Sequence, residues 1–165
     1  MIVMGIDPGL ASTGLAVVTG DSLRVAAYSF GVVRTAASTA TSLRLLHIFE
    51  EIRAAVEAKK PDLIVVEGVY TLSRHPKSSI LLGKATGAIM AAGAFCGVSV
   101  EEVAVREAKK VLTGNGSATK EQLELAVRSR LGRTEAIRPS HASDALALAL
   151  VGLYRGLSPF SRKSP

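Results

Sequence analysis

Two apolar runs in this chain each end in a single acid. The first, Ile2, Val3, Met4 and Ile6, closes on Asp7 and breaks at once at Pro8-Gly9, in GIDPGLASTG; the second, within DLIVVEGV at 62–69, closes on Glu67. Such runs read as buried strands, so each acid stands where a buried strand meets a loop. A carboxylate among apolar neighbours is costly to bury unless a cation, a hydrogen-bond donor or a ligand compensates it. Whatever fold the chain adopts must supply Asp7 and Glu67 with such a partner.

The segments around these runs define an α/β order. Gly9 and Gly14 frame a turn, LAVV at 15–18 returns as a second strand, and VAAYSFGVV at 25–33 follows the TGDS turn as a third, an antiparallel meander. From Thr41 to Lys59 the residues Leu45, Ile48, Phe49, Ile52 and Val56 recur at helical spacing, with Arg44, Glu51, Arg53 and Glu57 mostly off that stripe, and Pro61 ends the helix. A polar loop from Leu72 to Pro76 leads to a Gly/Ala-rich helix from about Ser78 to Phe95. A strand in VSVEEVAV at 98–105 and a short helix from Arg106 to Leu112 come next. TGNGSATKEQ at 113–122 opens another helix, with Thr119 and Gln122 spaced as a capping box, and SHASDALALALVGLY at 140–154 is the last, entered from Pro139. The expected architecture is a five-stranded mixed sheet, the meander plus two parallel strands, flanked by helices. A length of 165 residues suits one domain, here 1–155, with 156–165 as a disordered tail.

In such a sheet the 41–59 helix is the crossover that lays the Glu67 strand parallel to the Asp7 strand, bringing both acids to neighbouring carboxyl ends, the usual ligand position. His141 and Asp144, at i and i+3, share a face of the last helix, beside a stripe of Leu146, Leu150 and Leu153 that would hold the helix on the sheet. If that face meets the strand ends, four metal-type ligands converge. Each piece also has a plainer reading: Asp before Pro-Gly forms turns, a strand-end Glu can face solvent, and an acid in a first helical turn suits the helix dipole.

Composition narrows the partners. Twenty Lys and Arg against fourteen Asp and Glu give a formal charge of +6, which favours a polyanionic partner. Cys96 is the one cysteine, so an intramolecular disulfide and a multi-cysteine zinc site are both excluded, and a reducing, cytoplasmic setting is expected. The N-terminus lacks a basic leader region, and the longest apolar stretch, SSILLGKATGAIMAAGAFCG, is interrupted by Lys84; it reads as a helix of a soluble protein rather than a membrane span.

GIDPGLASTG, IVVEGVY, GNGSATKEQ and SHASDALALAL, in this order, resemble the four signature blocks of the RuvC family of Holliday-junction resolvases, over about residues 1–155. The resemblance implies the ribonuclease H-like fold and a homodimeric endonuclease. It implies paired, metal-dependent nicks in four-way DNA junctions, in recombination and repair, and Asp7, Glu67, His141 and Asp144 as catalytic metal ligands. His141 departs from an all-carboxylate version of the site that has Asp at this position. The resemblance also implies two Mg²⁺ ions per site with Mn²⁺ as a substitute, and Lys109 and Lys120 beside the scissile strands. Tyr70 would stack on an unpaired base, and a RuvA/RuvB-type branch-migration complex is a candidate partner. Gly83, Gly87 and Ala91, spaced every fourth residue, make a smooth helix face for a second subunit or for packing within the chain.

Rival readings exist. GIDPG followed by TG also resembles the first phosphate loop of actin-like ATPases, but those need a second domain and a second loop. Another ribonuclease H-like nuclease is the nearer alternative. A non-catalytic DNA-junction-binding module would explain the charge and leave Asp7 and Glu67 without a purpose.

Overall fold

A computed structural model describes residues 1–68 and 76–156. In chain order the elements are β1 (Ile2–Asp7), β2 (Ser12–Gly20), β3 (Val25–Arg34), α1 (Thr41–Lys59), β4 (Leu63–Glu67), α2 (Pro76–Phe95), β5 (Val100–Val103), α3 (Val105–Thr113), α4 (Lys120–Leu131) and α5 (Ser140–Arg155). The strands form one sheet in the order β3-β2-β1-β4-β5. β1, β2 and β3 are antiparallel neighbours, whereas β1 with β4 and β4 with β5 run parallel. The Asp62 carboxylate accepts a hydrogen bond from the Ile2 amide at 2.7 Å, which pins the parallel pair at its start.

Alternation along the strands divides the core in two. Met4, Ile6, Val17, Ile64 and Val66 face Ile48, Ile52 and Val56 of α1 and Ala85, Ile89 and Ala92 of α2. Val3, Val18, Leu63 and Val65 face α5 on the other side. The expected leucine stripe on α5 is an understatement: every residue from Ala142 to Leu153 except Asp144 is buried. The reason is a further layer, because α3 and α4 pack on the outer side of α5 and close the face that a simple sheet-bound helix would leave to water. Burial of a leucine such as Leu146 or Leu150 is worth about 2 kcal/mol, so α5 is a main source of cohesion.

α5 reaches the sheet through glycine. A Cβ at Gly5 would come within 2.0 Å of the Ala145 carbonyl oxygen, and one at Gly14 within 2.0 Å of the His141 carbonyl oxygen. Both strand glycines therefore mark close backbone approach, and Gly14 sets how near the first turn of α5 lies to β2.

Some boundaries differ from expectation. β2 starts at Ser12, α2 starts at Pro76 rather than Ser78, and β5 is confined to Val100–Val103 because α3 already begins at Val105. The remainder of the expected loop before α2, and the tail beyond Gly156, lie outside the described residues. By length and composition Lys77–Phe95 could cross a membrane, but Ala85, Ile89 and Ala92 bind it to the α1 side of the core. Its other face is open: Ile80 is 58% exposed, and a Cβ at Gly83 or Gly87 would meet nothing within 4 Å. Packing within the chain is therefore not what these two glycines serve among the described residues.

Candidate active site

Alternation decides which way the two acids face. Val3, Gly5 and Asp7 share one side of β1, as Leu63, Val65 and Glu67 do on β4, and this is the α5 side. The parallel register pairs Gly5 with Val65 and Ile6 with Val66, so the next step along each strand sets Asp7 beside Glu67. α5 then lowers its first turn onto β2 and delivers His141, whose Nδ1 shares a hydrogen bond with Asp7 Oδ2 at 2.6 Å. Asp144, one turn on, pairs with Lys120 Nζ at 3.4 Å. The capping box that opens α4 is present as expected: the Gln122 amide donates to Thr119 Oγ1 at 3.2 Å and the Thr119 amide to Gln122 Oε1 at 2.8 Å, which holds Lys120 at the first helical position.

Asp7, Glu67, His141, Asp144, Lys109 and Lys120 all line one cleft of about 410 Å³, floored by Ala108, Leu123, Ala147 and Leu148. Tyr70 lies outside the described residues. Among the described residues no three His, Cys, Asp or Glu side chains already form a ready metal-holding cluster. The donors are instead engaged in pairs, Asp7 with His141 and with Glu67, and Asp144 with Lys120.

The electrostatics favour a cation. Asp7 is only 6% exposed, and burial, with the charge of Asp144, pushes its carboxyl up to about 6 against the hydrogen bond from Glu67 and the charge of Lys120. Glu67 is raised to about 8, first by burial, then by the charge of Asp7 and the hydrogen bond it makes to Asp7, and by Asp144. Such carboxyls prefer to be neutral because too much negative charge is held in too little water. A hard divalent ion with oxygen ligands relieves that excess, so this donor set fits one.

The same shifts set a stability prediction. Both acids titrate higher in the folded chain than their ordinary values of 3.8 and 4.5, so the native state binds more protons than the unfolded one across that interval. Their contribution is most favourable below pH 4 and is lost as pH rises through about 6 and then about 8. In EDTA the melting temperature should therefore carry a downward component from pH 5 to pH 9. Added Mg²⁺ should restore more stability at pH 9 than at pH 5. Calorimetry showing an equal Mg²⁺ effect at both pH values would exclude these two acids as the binding site.

Sequence reasoning missed what holds the entry to α5. Glu124 accepts from the Ile137 amide at 2.9 Å and from Arg128 Nε at 2.9 Å, and Arg128 donates onward to the Thr134 carbonyl at 2.7 Å. The i,i+4 spacing of Glu124 and Arg128 is visible in the sequence, but it signals an ordinary helix-surface pair. The roles of Gly5 and Gly14 had a signal too, glycine inside a strand, without an indication of which backbone approaches.

The family model for "Crossover junction endodeoxyribonuclease RuvC" matches residues 3–152. A crossover junction endodeoxyribonuclease RuvC from Syntrophomonas wolfei is 36% identical over 154 residues, 93% of this chain and 89% of its own. The structure of T. thermophilus RuvC in complex with Holliday junction substrate superposes with a TM-score of 0.89 at 34% identity, covering 94% of each chain. The yeast mitochondrial Holliday junction resolvase Ydc2 shares the fold alone, at a TM-score of 0.66 and 10% identity over 92% of this chain and 77% of its own. With the expected ribonuclease H-like sheet in place, the acids at its strand ends and a family match across nearly all of the described chain, this protein belongs to the RuvC family of crossover junction endodeoxyribonucleases.

Proposed function

We propose that this protein resolves four-way DNA junctions by paired hydrolytic nicks during recombination and repair, using Mg²⁺, as a homodimer in the cytoplasm, with a RuvA/RuvB-type complex as its branch-migration partner. The observation that carries the reading is the convergence of Asp7, Glu67, His141 and Asp144 with Lys109 and Lys120 in one cleft, in a chain 34% identical to a protein seen with a Holliday junction.

In this reading Asp7, Glu67 and Asp144 would hold divalent ions through oxygen, and His141 would add an imidazole nitrogen. Divalent ions bound there would supply an activated water and neutralise charge at the attacking and leaving oxygens. Lys120 exchanges Asp144 for a phosphate, and Lys109 holds the strand from α3. The first amides of α4, behind the GNGS loop, add donors to a phosphate oxygen. Tyr70, which follows β4 in the sequence, stacks on an unpaired base at the crossover. His141 Nδ1 keeps Asp7 oriented, or takes a proton once a ligand engages Asp7. Oxygen donors suit Mg²⁺, and the nitrogen makes Mn²⁺ an able substitute.

The test is incubation with Mg²⁺ and a labelled four-way junction, a linear duplex and an RNA-DNA hybrid. Paired symmetric nicks confined to the junction are expected; cutting of the hybrid or the duplex at a similar rate would place the chain among other ribonuclease H-like nucleases.

A near-symmetric junction cut on two opposed strands calls for two identical sites, and the open face of α2 offers a second copy a contact of small residues. Gly87→Leu should weaken dimerisation by about tenfold or more, since a bulky side chain there holds two helices apart. Because the added side chain meets nothing within the chain, folding should persist. Sedimentation that finds the wild type monomeric at micromolar concentration would dispose of this interface.

A further inference from the structure

The sheet has two edges, and they are built differently. β5 is four residues long with Glu101 and Glu102 at its centre, a short and charged edge of the kind that discourages pairing. β3 is ten residues long, pairs only with β2, and carries no charged residue and no proline from Val25 to Val33. Its second row of amides and carbonyls faces outward without a strand among the described residues. Ala26, Ala27, Ser29 and Gly31 are exposed, so little bulk screens that row.

A notch lies beside this edge. α1 does not reach fully across β3, and Ser29, Phe30, Gly31, Leu15, Ala55 and Lys59 enclose about 210 Å³. The position a Cβ would take on Gly31 is open, with nothing within 4 Å. Three basic residues surround the edge. Arg24 precedes the strand and Arg34 ends it, and Lys59 stands over the notch; Arg34 and Lys59 make no side-chain hydrogen bond or ion pair among the described residues. The nearby acids are engaged already: Asp21 caps the β2–β3 turn by accepting from the Leu23 and Arg24 amides, and Glu57 pairs with Arg53.

We propose that the β3 edge is a docking site for an extended acidic segment of a partner protein, which adds as a sixth strand. Main-chain hydrogen bonds to β3 supply the affinity, and alternate side chains supply the selectivity, one of them an acid that enters the notch over Gly31 and meets Lys59. Neither Gly31 nor Lys59 lines the cleft that holds Asp7 and Glu67, so the docking does not depend on the nuclease reading.

The probe is a fluorescent ten-residue peptide alternating Glu and Val, the length of β3, beside a control of the same charge with proline at its centre. The alternating peptide should bind saturably and slow hydrogen exchange by at least about tenfold at those β3 amides that do not bond to β2. The proline control should bind at least about tenfold more weakly, because it cannot complete the ladder. Lys59→Glu should weaken the alternating peptide about tenfold, and Gly31→Val, whose Cβ meets nothing within 4 Å and which takes up room in the notch, should also weaken it. Equal binding of the proline control, or protection that falls elsewhere on the chain, would overturn the proposal. So would displacement of the peptide by a single-stranded oligonucleotide, which would make this a nucleic-acid face. Protection of β3 that rises with protein concentration alone would give the edge to a second copy and likewise overturn it.

Discussion

Asp7→Asn and Glu67→Gln should each reduce junction cleavage by about a thousandfold or more while junction binding persists. Each substitution keeps the shape of the side chain and removes a charge that the proposed site needs for its cation. The side-chain amide of the Asp7→Asn variant retains an oxygen that can accept from His141, so the 2.6 Å contact that orients the site need not be lost. Binding should rest on lysine and arginine contacts to phosphates, among them Lys109 and Lys120, and these are untouched. Stability provides an internal control. Both carboxyls are raised by burial, so the neutral amides should leave the melting temperature in EDTA at pH 8 equal to or above that of the wild type. Near wild-type nicking by either variant in Mg²⁺ would remove the metal-site reading.

The second large effect concerns His141. His141→Ala should lose most of the activity, about 10- to 100-fold, because it removes both a nitrogen donor and the group that holds Asp7. His141→Asp should recover a substantial part in Mg²⁺, since a carboxylate is an oxygen ligand, and the wild type should work in Mn²⁺ at least as well as in Mg²⁺. If His141 acts instead as a general base, the Asp variant should shift the acid limb of the pH-rate profile downward, because a carboxylate titrates near about 4 and an imidazole near about 6.5 in reference peptides. The side chain is 42% exposed, so exchange of imidazole for carboxylate is sterically open. Wild-type-like activity of His141→Ala across pH and metals would leave the residue with neither role.

Much of this fold is legible in single segments, because a strand or helix writes its own period into the residues that build it. The α1 stripe of Ile48, Ile52 and Val56, the Thr119–Gln122 box and the acids closing β1 and β4 are all local patterns, and each is found in the structure. Reading α1 as a crossover lays β4 parallel to β1, as the structure has it. Other features depend on two distant segments at once. The Asp7–His141 contact spans 134 residues, and it exists because Gly14 admits the first turn of α5 to the surface of β2. The burial of α5 on nearly all sides depends on α3 and α4, whose own patterns say little about what they cover. The pairing of Lys120 with Asp144 and the open outer faces of α2 and β3 are likewise set by where whole elements come to rest. Charge at a strand end and the apolar face of a helix can be read from the order of residues, since both are properties of side chains at fixed local spacing. Which acids share a cleft, how far burial raises them and which apolar faces stay uncovered become definite only in the packed molecule, because desolvation and contact depend on every element around a group and not on its neighbours in the chain.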